Sequence, residues 1–494
     1  MEWIVNAKEM KLCDQNTIQY YGVPSMVLME RAALKTMEVI LDGNYQTKQV
    51  LIVCGVGNNG GDGMALARLL AQKGSTVAIL LIGDTKKFTP ESKKQYEICQ
   101  QYRIPFVSLL ELECISYTLV IDALFGVGLS RNLTGEYYDI IEKLNQIHAD
   151  KVAIDIPSGI SADSGVVMGT AFRADTTITF GYRKLGLVLY PGVDYSGNIV
   201  VADIGIDDNS WLDKKPGVCA LDDGDVKEAL LRPEDGNKGT FGKVLVIAGS
   251  INMAGAAYFS AKAAYKSGCG LVRIYTAQEN CTILQTRLPE AILTTYSGKR
   301  PDMQQLNEAL SWADTIIIGP GIGTDDTAKM ILKNTLKNAA VPVVVDADAL
   351  NLIAEDTQIL LKPHTEMVVT PHMGEMARLC GDSISYLKEN RIEAAEEFAR
   401  EYNVVCVLKD ARTVTAVPYG KTYINQNGNS GMATGGSGDV LAGLIGGLIA
   451  QGIHSEFAAP AAVYLHAKAG DRAAKQIGKH AMMASDILEQ LFLN

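Results

Sequence analysis

Val50-Leu51-Ile52-Val53-Cys54 runs directly into Gly55-Val56-Gly57-Asn58-Asn59-Gly60-Gly61-Asp62-Gly63, and a helix-like Met64–Lys73 follows. A short, continuous apolar run reads as a strand buried on both faces, as in parallel sheets covered by helices. The glycines let the backbone turn sharply and approach a ligand, while free N–H groups at a helix start suit an anion. The string departs from the G-x-G-x-x-G fingerprint: its two Asn and one Asp add side-chain polarity that a bare phosphate cradle does not need. Outward from this stretch, Val77–Ile82, Leu119–Ile121 and Val152–Ile154 are further strand candidates, the last two ending on Asp122 and Asp155. In a parallel sheet, ligands collect at the carboxyl ends of strands. Neighbouring strands lie about 4.8 Å apart, so the two acids are expected within several ångströms of each other. One could ligate a cation and the other handle a proton, or Asp122 could cap a turn.

The polar stretch Asn209–Lys238, with its Pro and Gly, places a domain junction near residues 212–222 and divides the chain into 1–214 and 222–494. The pattern then restarts with Val244–Ala248 and a helical Gly255–Ser267. Strand candidates follow at Thr315–Ile318, Val343–Val345, Met367–Val369 and Val404–Leu408, with a last long helix at Asp439–Ala450. Both halves are therefore expected to be α/β. Ahead of that helix stands Asn429-Ser430-Gly431-Met432-Ala433-Thr434-Gly435-Gly436-Ser437-Gly438-Asp439. A glycine-rich loop at a helix N-terminus offers N–H donors and a favourable dipole end to developing negative charge. An Asp just inside it can accept a proton from a substrate hydroxyl as that hydroxyl attacks phosphate. No GxxxxGK[ST] string occurs, which disfavours a P-loop NTPase.

Composition narrows the classes further. Of 494 residues, 47% are apolar and 20% charged, which is globular. The net charge of −11 argues against a nucleic-acid or anionic-membrane binder. No membrane-spanning run is present, and the opening MEWIVNAKEMKLCDQ lacks a basic leader followed by an apolar stretch, so no secretory signal is expected. Nine cysteines lie scattered without CxxC spacing, as expected for reduced thiols in a cytoplasmic protein.

GVGNNGGDG, DALFGVGLSR and DIPSGISADSG, in that order, resemble the Rossmann-like epimerase domain that acts on hydrated nicotinamide nucleotides, NADHX and NADPHX. The resemblance covers roughly residues 1–210. It implies that Asn58, Asn59, Gly60, Gly61 and Asp62 contact the substrate, with Gly126, Val127, Gly128, Leu129, Ser130, Arg131 and Asn132 around its phosphates. It further implies Asn59, Asp122 and Ser158 as potassium ligands and Asp155 as the substrate-contacting acid, taken here as the proton-transfer group when C6 inverts. A hard monovalent cation suits such oxygen donors.

TGGSGDVLAG resembles the signature of ribokinase-like small-molecule kinases. With Asn237-Lys238-Gly239, GSINMAGAAYFSAKAAYKSGCGLVR, IGPGIG, VVDADALNL, TPHMGEMARL and LKDART, the second half is similar to the ADP- or ATP-dependent NAD(P)HX dehydratases. The resemblance implies Asp439 as catalytic base, and Ala254, Gly321, Gly323 and His372 as contacts to the hydrated nucleotide. It implies Lys409, Asp410, Ala411, Arg412, Thr413 and Gly438 as contacts to ADP or AMP; the family has Gly where this chain has Asp410. Asp346 and Asp348 could assist a metal-bound nucleotide or cap a helix, and Glu375 could lie near the phosphates or Mg2+. The expected partners are thus NADHX, NADPHX and ADP or ATP, with K+ in the first half, Mg2+ in the second, and further copies of the chain in a homo-oligomer.

Two rivals stand beside this reading. A hydroxymethylpyrimidine- or hydroxyethylthiazole-type kinase would share the GxGD loop but release a stable phosphorylated product. Alternatively the first half is a binding or oligomerisation module without catalysis.

Overall fold

A computed structural model describes residues 1–230, 232–298, 301–361 and 365–491. The chain forms two compact units, Trp3–Pro216 and Gly217–Asn494, with Met1–Glu2 grouped in the second.

In the first unit the central strand is Gln49–Cys54, and its alternation sets the layers. Val50, Ile52 and Cys54 face one hydrophobic cluster with Leu28, Ala32, Met64 and Leu66 from helices Ser25–Asp42 and Asn58–Gln72. Leu51 and Val53 face the other, with Ile140, Ile141 and Leu144 of helix Glu136–Gln146. Apolar on both sides, the strand must be sheathed by helices on both faces. The sheet runs Phe106–Val107, Thr76–Leu81, Gln49–Cys54, Leu119–Ala123, Asp150–Ile154, Thr176–Phe180, Asn198–Ala202, all parallel. The chain order reverses between Gln49–Cys54 and Leu119–Ala123. A crevice opens at such a switch point, at the carboxyl ends of the strands.

The second unit repeats the plan with a different sequence. Its order is Ile292–Tyr296, Leu271–Ala277, Lys243–Ile247, Thr315–Ile318, Val343–Val345, Met367–Val369, Val405–Leu408, parallel throughout. The sheet then continues through antiparallel Val414–Ala416 and Thr422–Ile424. Here the switch lies between Lys243–Ile247 and Thr315–Ile318. Val244, Val246 and Ile317 bury against helices Ala254–Lys266, Ser437–Ala450 and Ser455–Ile477. The helix Ser437–Ala450 comes unusually close to its neighbour: a Cβ on Gly443 would stand 2.2 Å from the Ser260 carbonyl oxygen. That explains an apolar, glycine-rich helix of this length as packing rather than membrane insertion. Among the described residues, no helix is long and apolar enough to cross a membrane.

Two boundaries correct the sequence reading. The helix expected at Met64–Lys73 begins at Asn58, so Asn58 through Gly63 form its first turns rather than a free loop. Gly57, extended, precedes it, and Gly60 presses on the strand end; a Cβ there would stand 1.8 Å from the Gly55 carbonyl oxygen. The helix expected at Asp439–Ala450 begins at Ser437, two residues before Asp439, and it is not the last long one, because Ser455–Ile477 follows.

Candidate active sites

In the first unit a cleft of ≈550 Å³ lies over the switch point, lined among others by Gly57, Asn58, Asn59, Asp62, Phe125 and Asp155. Gly126, Val127, Gly128 and Leu129 also face it. Gly60 and Gly61 are buried behind its wall, serving helix packing instead. Ser130, Arg131 and Asn132 follow on the surface and are not among the cleft-lining residues.

Asp155 directly follows strand Asp150–Ile154 and adopts φ 68°, a left-handed conformation costly for a residue with a side chain. Its N–H donates to the Ile178 carbonyl oxygen at 2.7 Å, which ties that backbone to the next strand. Its Oδ1 receives Lys184 Nζ at 2.6 Å. Lys184 is buried, at 1% side-chain exposure, and also donates to Thr179 Oγ1 and the Phe180 carbonyl oxygen, both at 2.8 Å. A buried ammonium so thoroughly bonded fixes the carboxylate it meets.

Asp122 and Ser158 form a second, fully buried group. Ser158 donates its N–H to Asp122 Oδ2 and its hydroxyl to Oδ1, both at 2.7 Å, and Leu124 N–H adds a bond at 3.1 Å. Burial raises the Asp122 pKa to about 6 against these hydrogen bonds from Ser158 and Leu124. Asn59 lies beside Gly126, where a Cβ would stand 3.4 Å from its Cγ and 3.3 Å from Asp155 Oδ2, and its Nδ2 is buried without a hydrogen-bond partner. An orphaned amide is expensive, and the amide turned over presents an oxygen there instead. Asp122, Ser158 and Asn59 therefore offer the oxygen donors a hard cation takes.

The second site is built from three strand ends and one helix start. Asp346, 1% exposed, ends strand Val343–Val345; it accepts from Lys409 Nζ at 2.7 Å and Thr370 Oγ1 at 2.6 Å. Lys409 follows strand Val405–Leu408 and also lies 4.0 Å from buried Glu375. Gly438 closes the group: a Cβ there would stand 3.4 Å from Lys409 Nζ and 3.8 Å from Asp346 Oδ2. Asp439 is thus in the first turn of helix Ser437–Ala450, where exposed Gly435 precedes it and the positive end of the dipole points outward. Burial raises the Asp439 pKa to about 7; Asp346 adds to the rise and Lys409 opposes it. Glu375 is likewise pushed up to about 7 by burial, with Lys409 pulling it down.

The other residues singled out in the sequence fall around this centre. Ala254 starts its helix, and Gly321 and Gly323, at φ 60° and 80°, form the neighbouring turn at the switch point. The Ser250 N–H binds the Gly321 carbonyl oxygen at 2.6 Å, joining the two segments. Asp348 Oδ2 accepts from Gly323 N–H at 2.9 Å, so Asp348 braces that turn. His372 is an N-cap: its Nδ1 accepts from Gly374 N–H at 3.0 Å while Glu375 returns the bond to the His372 N–H, leaving the ring more than half exposed. Lys409 to Thr413 link the antiparallel strands Val405–Leu408 and Val414–Ala416. Within that link Thr413 Oγ1 donates to the Asp410 carbonyl oxygen, Arg412 donates to the Gln426 carbonyl oxygen, and Ala411 is exposed. Asp410 does not confront the site as a bare charge, because buried Arg391 pairs with it at 3.2 Å.

A family model described as NAD(P)H-hydrate dehydratase matches residues 244–492, and one described as YjeF-related protein N-terminus matches residues 25–186. The bifunctional NAD(P)H-hydrate repair enzyme Nnr of Moorella thermoacetica is 40% identical, over 99% of this chain and 96% of its own. This chain belongs to the bifunctional NAD(P)H-hydrate repair enzyme family. The repair enzyme of Escherichia coli is 34% identical, over 98% of this chain and 92% of its own. Among solved structures, a hypothetical protein of Streptococcus mutans matches with 31% identity and a TM-score of 0.51, covering 55% of this chain and 97% of its own. An ADP/ATP-dependent NAD(P)H-hydrate dehydratase of Bacillus subtilis, crystallised with ATP/Mg2+, is 29% identical with a TM-score of 0.48, covering 55% and 95%. The α/β architecture, Rossmann-like in the first unit and ribokinase-like in the second, accords with this family.

For this member of the repair-enzyme family, sequence reasoning missed Lys184, Asp14 and Arg391. Lys184 sits in an unremarkable Arg183-Lys184-Leu185, and the pairing of strand Thr176–Phe180, on whose end it is anchored, with strand Asp150–Ile154 brings it to Asp155. The glycine geometry gives a stability prediction. Gly60→Ala forces the helix start away from the Gly55 carbonyl, and such overpacking costs about 1–3 kcal/mol. The expected result in differential scanning calorimetry is a lower melting temperature; an unchanged one would mean the strand–helix contact is looser than described.

Proposed function

We propose that the chain repairs hydrated nicotinamide nucleotides in two steps. The first unit interconverts R- and S-NAD(P)HX; the second converts S-NAD(P)HX to NAD(P)H at the expense of ADP, giving AMP and phosphate. The reading divides the chain into an epimerase at 1–214 and a dehydratase at 222–494. The observation that carries it is the full-length match to repair enzymes together with an acid at each expected helix or strand end. In the epimerase, Asn58, Asn59 and Asp62, with the stretch Gly126 to Leu129, hold the substrate. Asp155 moves the proton at C6, fixed by Lys184 at 2.6 Å. Asn59, Asp122 and Ser158 would hold K+, which supplies a fixed positive charge beside the substrate's phosphates.

In the dehydratase, Asp439 takes the proton of the C6 hydroxyl as its oxygen attacks the terminal phosphorus. Lys409 and the N–H groups around Gly438 meet the charge that develops on the phosphoryl oxygens. Phosphate then leaves from C6, where hydroxide would leave poorly, as the ring nitrogen's lone pair forms C6=N; loss of a C5 proton to solvent then places the double bond at C5=C6 and restores the dihydropyridine ring. Ala254, Gly321, Gly323 and His372 contact the hydrated nucleotide; Lys409, Asp410, Ala411, Arg412 and Thr413 contact ADP or AMP. Mg2+ ordinarily takes one or two carboxylates plus phosphate oxygens. Glu375 and the free Oδ2 side of Asp346 fit that role, where the cation would draw charge from the transferring phosphate. The same reading keeps the protein reduced, cytoplasmic and homo-oligomeric; the described cysteines are all free thiols.

The test is stoichiometry. S-NADHX with ADP should yield NADH, AMP and phosphate in equal amounts by chromatography. A phosphorylated nucleotide accumulating without NADH would favour the small-molecule kinase instead.

A further inference from the structure

We infer that Asp14 is a second catalytic acid–base residue of the first unit, working with Asp155 on opposite steps of the inversion at C6. This rests on the epimerase reading above and extends it to a residue outside the matched stretch 25–186.

Asp14 lines the same cleft as Asp155, Asp62 and Lys184. Its arrival there is dictated step by step. Val5 pairs with Lys184 in parallel register. Asn6 then caps helix Ala7–Gln15 through a reciprocal box with Glu9, and that helix carries Asp14 to the cleft wall. The chain continues directly into a π-helical turn, Asn16–Tyr20, whose Ile18 also lines the cleft. Such wide turns are rare and concentrate at functional sites. The half-buried Asp14 carboxyl makes no hydrogen bond or ion pair to another described residue. Polar groups removed from water are normally bonded, so a carboxyl left without a protein partner on a cleft wall is available to whatever fills the cleft. Burial pushes its pKa up to about 7, opposed by Lys184 and helped by Asp155. A carboxyl in that range can both give and take a proton near neutrality. Asp62 differs: burial, then Asp155 and Asp14, hold its pKa well above the ordinary carboxylate value, which suits a fixed hydrogen-bond donor.

Inversion at C6 requires water to leave one face and add to the other, and Asp14 and Asp155 are brought to the cleft by different elements. Asp14 gives its proton to the C6 hydroxyl oxygen. The C6–O bond breaks and its electron pair departs with water, while the ring nitrogen's lone pair forms the C6=N bond. Water adds to the opposite face, forming a new C6–O bond as the C6=N pair returns to nitrogen. The proton that this water sheds passes to Asp155. One water leaves and one enters, one proton moves from Asp14 to Asp155, and exchange with solvent resets both groups.

The test uses the full-length chain with R-NADHX. Asp14→Asn should slow epimerisation about a hundredfold or more, leave ADP-dependent conversion of S-NADHX unchanged, and melt no lower than wild type, because an unpaired acid becomes a neutral amide of the same shape. Asp14→Glu keeps the charge and displaces the carboxyl; its kcat should fall with KM unchanged. Epimerisation within a few-fold of wild type in either variant overturns the role of Asp14. If the wild-type chain itself leaves R-NADHX untouched, the epimerase reading fails instead.

Discussion

Asp439→Asn should abolish recovery of NADH from S-NADHX, lowering the rate about 10³-fold, while R and S epimers still equilibrate. A positioned general base contributes roughly 10²–10⁴-fold, and an amide cannot take the hydroxyl proton. The surroundings of Asp439 make the effect specific. Lys409 is held by Asp346 at 2.7 Å and braced beside Glu375, so the cationic side of the site survives the substitution. Nucleotide affinity should therefore change far less than turnover. A pH dependence accompanies this. With its pKa raised to about 7 by burial, Asp439 is a working base only as pH rises through that value, so dehydration should increase from about pH 6 to about pH 8. Stability runs the other way. The folded protein binds this proton more tightly than the unfolded chain does, so the contribution is present below the unfolded pKa and lost as pH rises through about 7. Asp439→Asn should consequently melt higher than wild type at about pH 8, with the difference closing toward about pH 4. Loss of NADH recovery with no change in the pH dependence of melting would point away from a buried, raised carboxyl.

Asp155→Asn should stop R/S interconversion and leave ADP-dependent dehydration of the S epimer intact. Here the expected loss is again about 10²–10⁴-fold. The variant also strips the counter-charge from Lys184, which is buried and has only neutral partners left in Thr179 and Phe180. Breaking a buried pair this way costs about 3–5 kcal/mol. The first unit should therefore melt lower, and the activity loss must be read below that transition. Normal epimerisation by Asp155→Asn would remove the assigned acid–base role.

Legibility of the sequence followed locality. Continuous apolar strands such as Gln49–Cys54 and Thr315–Ile318 announced themselves, as did Asp155 and Asp439, each beside its own strand end or glycine loop. Thr176–Phe180 was missed because its buried residues are largely threonines, whose hydroxyls are satisfied out of sight; Thr177 Oγ1 donates to the Ser196 carbonyl oxygen at 2.7 Å. Ile292–Tyr296 is only half-buried and lies at the sheet edge, so it lacks the unbroken apolar run. Asn58 to Gly63 resembled a loop because glycine is a poor helix former, but here its missing Cβ admits the strand end. Lys184, Asp14 and Arg391 were invisible for a different reason: each meets its site only through pairing or packing between segments distant in sequence.

The central claim, that one acid beside a glycine-lined helix start drives phosphate-assisted dehydration while the other unit supplies the correct epimer, has a direct test. A proton NMR time course of mixed R- and S-NADHX with the purified chain should show both epimers disappearing into NADH when ADP is present, and only equilibration of the two without it. NADH formed equally well in the absence of any nucleotide would contradict the account.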